Sequence, residues 1–281
     1  MGDGTGAGFG LAQMRTIQAN GISMDYAEAG GPAAPPVLLI HGLGWDAWRL
    51  WRGVMPALEA AGFRAIAPNL RGVGGTEATE AAYTTELYAQ DLEAFLAALG
   101  ITRAPVVGFS MGASIAGALV ARSARVSALT LACGGLHATE AGRREVEEML
   151  ARAGTLGPLA FAAEQAEAIF RTAWAGANPD AVEDFKEWRA AMNQSALFRA
   201  FRSGYGADYR ATVREAGLPV QVIAADADAF CDLDDMRAMA ASIPGARFDV
   251  IRECGHMATI EQLDAFNAVL TDFLTGGRGA A

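Results

Sequence analysis

The chain has 281 residues, enough for one large α/β domain or two small ones, and 52% of them are hydrophobic, which suits a sizeable core and speaks against wholesale disorder. Its 22 Lys and Arg against 32 Asp and Glu give a formal net charge of −10 without a basic stripe, so nucleic-acid binding is not expected. Three cysteines with no CxxC spacing speak against a disulfide framework, and no apolar run approaches the roughly 20 residues of a membrane helix.

In chain order, residues 1–13 read as a disordered leader. They are glycine-rich, with neither the basic start nor the apolar middle of a signal peptide, and a cytoplasmic location is expected. Their GxG spacings follow no strand, so the dinucleotide-loop reading fails. Residues 15–19 and 23–28 read as strands around the turn Asn20-Gly21, and 37–40 as a buried strand after a Pro-rich loop. A helix is expected over 45–61, a strand over 63–67 and a long helix over 84–99. A strand over 104–109 leads into a helix from Met111, and 126–132 is another β-branched, apolar run. From 135 to 215 strand-like runs give way to Ala-, Glu- and Arg-rich helical segments, broken at Gly154, Gly157-Pro158 and Asn178-Pro179. Strands return at 219–224 and 247–251 around a helix at 233–243, and an amphipathic helix closes the pattern at 261–274. This alternation predicts a mostly parallel central sheet flanked by helices. The domain plan is then a core of 14–134 and 216–281, with 135–215 as a helical lid inserted after the sixth main strand.

The chemistry begins with GFSMG at 108–112, a G-x-S-x-G placed between a strand and a helix. A sharp turn there raises the Ser110 hydroxyl clear of the sheet edge, and flanking glycines avoid collision. The helix starting at Met111 aims its first amides at an oxyanion formed beside the serine. A hydroxyl needs a base. Of the three histidines, His137 opens the helical stretch without a partner, while His41 opens HGLG after a strand. His256 lies in ECGHMA, in the loop after the strand ending at 251, where an α/β sheet gathers its reactive groups. His256 is therefore the expected base, and His41 a brace for its loop. From that loop the Leu43 amide, with the Met111 amide, is expected to form the oxyanion hole. The base needs an acid. Of the cluster ADADAFCDLDD, Asp232, Asp234 and Asp235 suit a helix start, leaving Asp226 and Asp228; spacing favours Asp228 but leaves Asp226 open.

The order Ser110, Asp228, His256, with HGLG, PNLRGVGGT, VVGFSMGAS, VIAADAD and ECGHMATIEQLDAFNAVLTDFL, resembles the α/β-hydrolase superfamily from about Met14 onward. It is most similar to the oxoadipate enol-lactonases and cofactor-free haloperoxidase-type esterases. The resemblance implies an α/β-hydrolase fold and places the acid at Asp228, because Ala225 to Asp228 matches the family's G-x-x-D with Ala for Gly. Two positions depart from the family pattern: Asn69 stands where Asp is common, and Ala113 where Gly is usual. The expected activity is hydrolysis of a small or medium apolar carboxylic ester or lactone through an acyl-enzyme, with no cofactor and no metal. Trp45, Phe109, Trp174, Phe198 and Met257 are the expected pocket residues, and Trp188 and Phe201 join the inner face of the lid. The partner is a small-molecule substrate, with neither nucleic acid nor membrane, and a homodimer remains open. Alternatives are carbon–carbon bond hydrolysis or a cofactor-free rearrangement of secondary metabolism, and a non-catalytic receptor on the same scaffold. HGLGWDAW lacks the Gly-Pro-Gly common in carbon–carbon hydrolases, which argues against that branch.

Overall fold

Short strands with apolar side chains on both faces need helices on both sides, and the chain folds accordingly. The computed structural model describes residues 14–204 and 207–276, so the leader expected over 1–13 lies outside the described residues. The strands are β1 (Met14–Ala19), β2 (Ile22–Ala29), β3 (Pro36–Ile40), β4 (Arg64–Pro68), β5 (Ala104–Phe109), β6 (Val126–Ala132), β7 (Val220–Ala225) and β8 (Arg247–Ile251). They form one sheet in the order β1-β2-β4-β3-β5-β6-β7-β8. β2 pairs antiparallel with β1 and β4; every other pairing is parallel. The β1–β2 turn is tight because Asn20 and Gly21 both take positive φ, 49° and 75°, which matches the twist of the hairpin.

The side-chain alternation divides the core in two. Leu38, Ile40, Val106, Leu129, Leu131 and Val222 pack under α3 (Thr85–Ala98), α4 (Met111–Arg122) and α11 (Leu233–Ala241). Val37, Leu39, Val107, Phe109 and Ile223 face α1 (Ala47–Trp51), α2 (Met55–Ala60) and, after the short α12 (Ala258–Glu261), α13 (Leu263–Leu274). Trp51 is fully buried there, edge-on to Phe109 at 6.3 Å and 6.5 Å from Phe266. Truncating such a residue costs about 3–5 kcal/mol.

Two single helices expected from the sequence are each a pair. The 45–61 helix breaks into α1 and α2: a Cβ on Gly53 would lie 2.6 Å from Leu263 Cδ2, and Pro56 cannot donate to the preceding turn. Trp45 lies ahead of α1, whose cap is Asp46, accepting from the Arg49 amide at 2.5 Å. The closing helix breaks at Gln262, whose φ of −135° and ψ of 53° separate α12 from α13.

Between β6 and β7 lie α5 (Glu140–Leu156), α6 (Pro158–Ile169), α7 (Thr172–Ala177), α8 (Pro179–Ala191) and α9 (Gln194–Phe201), followed by α10 (Arg210–Glu215). Gly157, at φ 79°, and Asn178 with Pro179 break helices as expected, whereas Gly154 stays inside α5. The ends of the insertion meet in a neck: the Tyr209 amide donates to Leu136 O at 2.8 Å and the Ala138 amide to Ala207 O at 3.0 Å. His137 bridges Asp208 in that neck, away from the serine. α10 lies past the neck and packs on α4. No described helix is long and apolar enough to cross a membrane.

Candidate active site

Ser110 joins β5 to α4 in a backbone conformation that side chains rarely adopt, with φ 54° and ψ −120°. The flanking glycines are dictated by close approach. A Cβ on Gly108 would stand 2.3 Å from the Gly112 carbonyl, and one on Gly112 would stand 2.4 Å from the carbonyl of Ile40. The turn is held by the Ser110 amide donating to Ala132 O at 2.9 Å. Gly134, in the loop after β6, is fixed by the same closeness: a Cβ there would stand 2.3 Å from Ser110 O.

His256 and Asp228 arrive from the loops after β8 and β7. His256 Nε2 lies 2.9 Å from Ser110 Oγ, and Nδ1 lies 2.9 Å from both carboxylate oxygens of Asp228. The Asp228 side chain is wholly buried and also accepts the Phe230 and Cys231 amides, at 2.8 and 3.2 Å. Asp226, the competitor left open by spacing, instead accepts the Cys254 amide at 3.1 Å and so holds the histidine loop from the other side. A further carboxylate escaped the sequence reading. Glu261 turns back from α12 to accept the amides of Gly255 at 2.9 Å and Met257 at 3.2 Å, on either side of His256, and that of Arg171 at 3.2 Å. Nothing in ATIEQ marks that role, which depends on chain reversal.

His41 stands apart from this chain of contacts. It faces Gly42 O through Nδ1 at 2.8 Å and takes the Leu70 amide on Nε2 at 3.0 Å. Only the neutral ring with its proton on Nδ1 satisfies both contacts. Burial accordingly lowers its pKa, against the opposing pull of the Gly42 carbonyl. The departure at Asn69 has a structural use: Oδ1 accepts the Ala47 amide at 2.7 Å while Nδ2 donates to Asp25 at 3.0 Å, tying α1 to β2. Arg71 holds Asp91 through Nε at 2.9 Å and Nη2 at 2.5 Å, bracing its loop.

A cavity of about 540 Å³ opens over Ser110. Leu43 and Met111 line it beside the serine, and no intramolecular hydrogen bond among the described residues uses either amide. Gly42 presses this loop to the elbow, since a Cβ there would lie 3.0 Å from Ser110 Cβ. Of the expected pocket residues, Trp45 and Phe109 line the cavity, as does Phe201. The other three do not. Trp174 stacks on Phe170 at 4.9 Å, and Phe170 in turn meets Trp45 edge-on, so Trp174 supports the wall from behind. Phe198 meets Phe161 edge-on at 6.4 Å in a satellite cluster with Met192 and Leu197. Met257 is fully buried beneath the histidine loop. Their places are taken by Phe185, Ile169 and Phe230. Phe230 is 56% exposed and lies 5.0 Å from the His256 ring, near the mouth. Its position two residues after Asp228 was the available signal.

Asp228, Cys231 and His256 have ligating atoms within 4.8 Å of one another, a metal-like grouping. Both His256 nitrogens are already engaged, and burial pushes the Cys231 thiol far up, so this donor set does not suit a cation.

Residues 35–263 match the family described as alpha/beta hydrolase fold, and the chain belongs to that family. The solved enol-lactonase of Burkholderia xenovorans LB400 is similar over 93% of this chain and 100% of its own, with a TM-score of 0.84 and 25% identity. RutD of Cronobacter turicensis, provisionally named a carbamate hydrolase, is 28% identical over 89% of this chain and 94% of its own length. Epoxide hydrolase A of Mycobacterium tuberculosis is 39% identical over 108 residues, 38% of this chain and only 33% of that relative's length. These likenesses support a hydrolase.

Proposed function

We propose that the protein hydrolyses a carboxylic ester or lactone through an acyl-enzyme on Ser110. One observation carries this reading: the unbroken contacts from Asp228 to His256 to Ser110, all at 2.9 Å, at the floor of a largely apolar cavity. Ser110 Oγ attacks the carbonyl carbon while His256 Nε2 takes its proton. Asp228 keeps the other imidazole proton on Nδ1 and stabilises the imidazolium. The amides of Leu43 and Met111 receive the charge that develops on the carbonyl oxygen. His256 then returns its proton to the leaving alkoxide, and water, activated by the same nitrogen, releases the acid.

The likeness to carbamate and epoxide hydrolases bears on the substrate in different ways. A carbamate has a carbonyl and passes through the same tetrahedral intermediate. An epoxide opened by Ser110 would leave an ether with no carbonyl for water to attack, so the enzyme would be trapped. The site therefore favours acyl compounds. Incubation with a fluorophosphonate, followed by peptide mass mapping, should place the label on Ser110. Ser110→Ala should lose both the label and ester turnover, the latter by about 10⁴–10⁶-fold. Equal labelling of both proteins would defeat the assignment. Labelling without turnover of any ester or lactone would favour a rearrangement or a receptor.

A further inference from the structure

The cavity over Ser110 contains a deeply buried charge that acyl transfer does not use. Arg189, in the last turn of α8, is 3% exposed and lines the cavity wall. Its partners among the described residues are neutral. Nε donates to Gln165 Oε1 at 2.7 Å, Nη1 stands 3.8 Å from Met192 Sδ, and the guanidinium carbon lies 5.3 Å from the centre of the Phe201 ring. One amide oxygen is a poor match for a fork of five N–H groups. The end of α8 offers little compensation, because Gln194 Nε2 occupies the carbonyls of Arg189, Ala190 and Met192, at 3.1, 3.2 and 2.9 Å. Burial, with no facing carboxylate to offset it, draws the guanidinium down to about 9, so it is still a cation at neutral pH.

Retaining an unpaired cation in such a place is unfavourable unless something negative meets it. Its position says where. A Cβ on Gly44 would stand 2.1 Å from Nη1, so the guanidinium presses close against the loop that carries Leu43, and glycine at φ 71° makes room for it. The other charges of the cavity wall are at its rim. Arg152 and Glu164 pair with each other at 2.6 Å with side chains 55% and 41% exposed, and Glu145 is exposed. Water and salt screen these far more than they screen Arg189.

We propose that Arg189 is a substrate-recognising residue: it receives a carboxylate carried by the ester or lactone several bonds from the scissile carbonyl, with Gln165 setting the orientation of the fork. A guanidinium matches a carboxylate with two parallel hydrogen bonds, and one buried positive charge balances one negative charge. This deepens the ester reading and depends on it only for the turnover measurement. The test compares 4-nitrophenyl half-esters of succinic, glutaric and adipic acids with the same compounds methyl-capped at the free acid. Acetate esters of ω-hydroxy acids, free and capped, probe the alcohol side. At one length or more, wild-type enzyme should prefer the free acid by about 10- to 100-fold in kcat/KM, the range of a buried charge-assisted hydrogen bond. That ratio should collapse in Arg189→Met and survive in part in Arg189→Lys. Because the ratio compares two substrates on one protein, partial misfolding does not imitate the result. In parallel, calorimetry on Ser110→Ala should detect binding of the matching free diacid, and Arg189→Met should abolish it. No acid preference in wild type at any length, on either side, overturns the proposal. So does an equal loss for acid and capped ester in Arg189→Met. Diacid binding by Ser110→Ala without turnover of any ester by wild type would instead uphold the anion site and reject the esterase reading.

Discussion

The sheet and the helical insertion solve different physical problems. In the sheet, backbone groups pair with neighbouring strands, apolar side chains fill both faces, and glycine stands where main chains nearly touch, as at Gly108, Gly112 and Gly134. Such a framework fixes the atoms of Ser110, Asp228 and His256 with little freedom, though they lie far apart in sequence. The insertion leaves the sheet at the neck and packs back on it through helix side chains, Phe170 and Phe185 joining Trp45 in the core while Phe161 and Phe198 meet in a smaller cluster. Its cavity-facing residues, Phe185, Phe201 and Arg189, are side chains on helices whose relative positions depend on that packing. The contrast suggests that reaction type is set by the strand ends and substrate choice by the insertion.

The sharpest way to break this comparison is within the sheet. Asp228→Asn should leave the fold intact but favour the wrong His256 tautomer, lowering kcat by about 10⁴-fold. Asp226→Asn, which weakens only the bond to the Cys254 amide, should cost about tenfold or less. Steady-state kinetics of the two variants decide the matter, and a reversed order would make Asp226 the acid.

Glu261 tests whether the histidine loop needs its own anchor. Glu261→Gln keeps the shape but removes the charge that gathers three amides, and should lower unfolding stability by about 2–3 kcal/mol in denaturant titrations. A loss in kcat larger than the loss in stability would mark Glu261 as a positioning residue. Unchanged stability and rate would show that the loop holds itself.

In the insertion the expected effects are smaller and selective. Phe201→Ala should change relative kcat/KM between short and long acyl chains by tens-fold, the scale of about 1–3 kcal/mol for a missing apolar contact. Phe198→Ala, which disturbs the cluster with Phe161, should lower stability and leave the chain-length profile nearly flat. If Phe198 rather than Phe201 altered the profile, the wall facing the substrate would be a different one.

His41 gives the mildest test. Its pKa is lowered in the fold, so the unfolded chain binds the proton more readily. Its contribution is fully present above about pH 6.5, the ordinary histidine value, and is lost as pH falls through the lowered folded pKa. Between those two values stability should fall by up to about 1.4 kcal/mol per pH unit. His41→Asn should flatten that slope; an unchanged slope in pH-dependent unfolding would mean the ring is not held neutral.

Much of this arrangement was already legible in the amino-acid sequence. β5, β6 and β8 fall at the expected residues, because a short apolar run between turn residues has few alternatives as a buried parallel strand. Ser110, His256 and Asp228 could be picked out, since each sits just past a strand and strand ends converge on one edge of a parallel sheet. What the sequence alone determined, then, was the local chemistry: an elbow serine, a loop histidine, and acids following β7. The tertiary structure decided what depends on distant neighbours. Leu263 packs close against Gly53, where the 45–61 helix divides, and of the two candidate acids Asp228 lies against the imidazole while Asp226 takes the Cys254 amide. It also decided which aromatics of the insertion face the cavity, placing Phe185 and Phe201 there while Trp174, Phe198 and Met257 serve behind it. Helical periodicity tells which residues share a face but not what that face meets, and a buried cation such as Arg189 looks in sequence like any other arginine of a solvated helix.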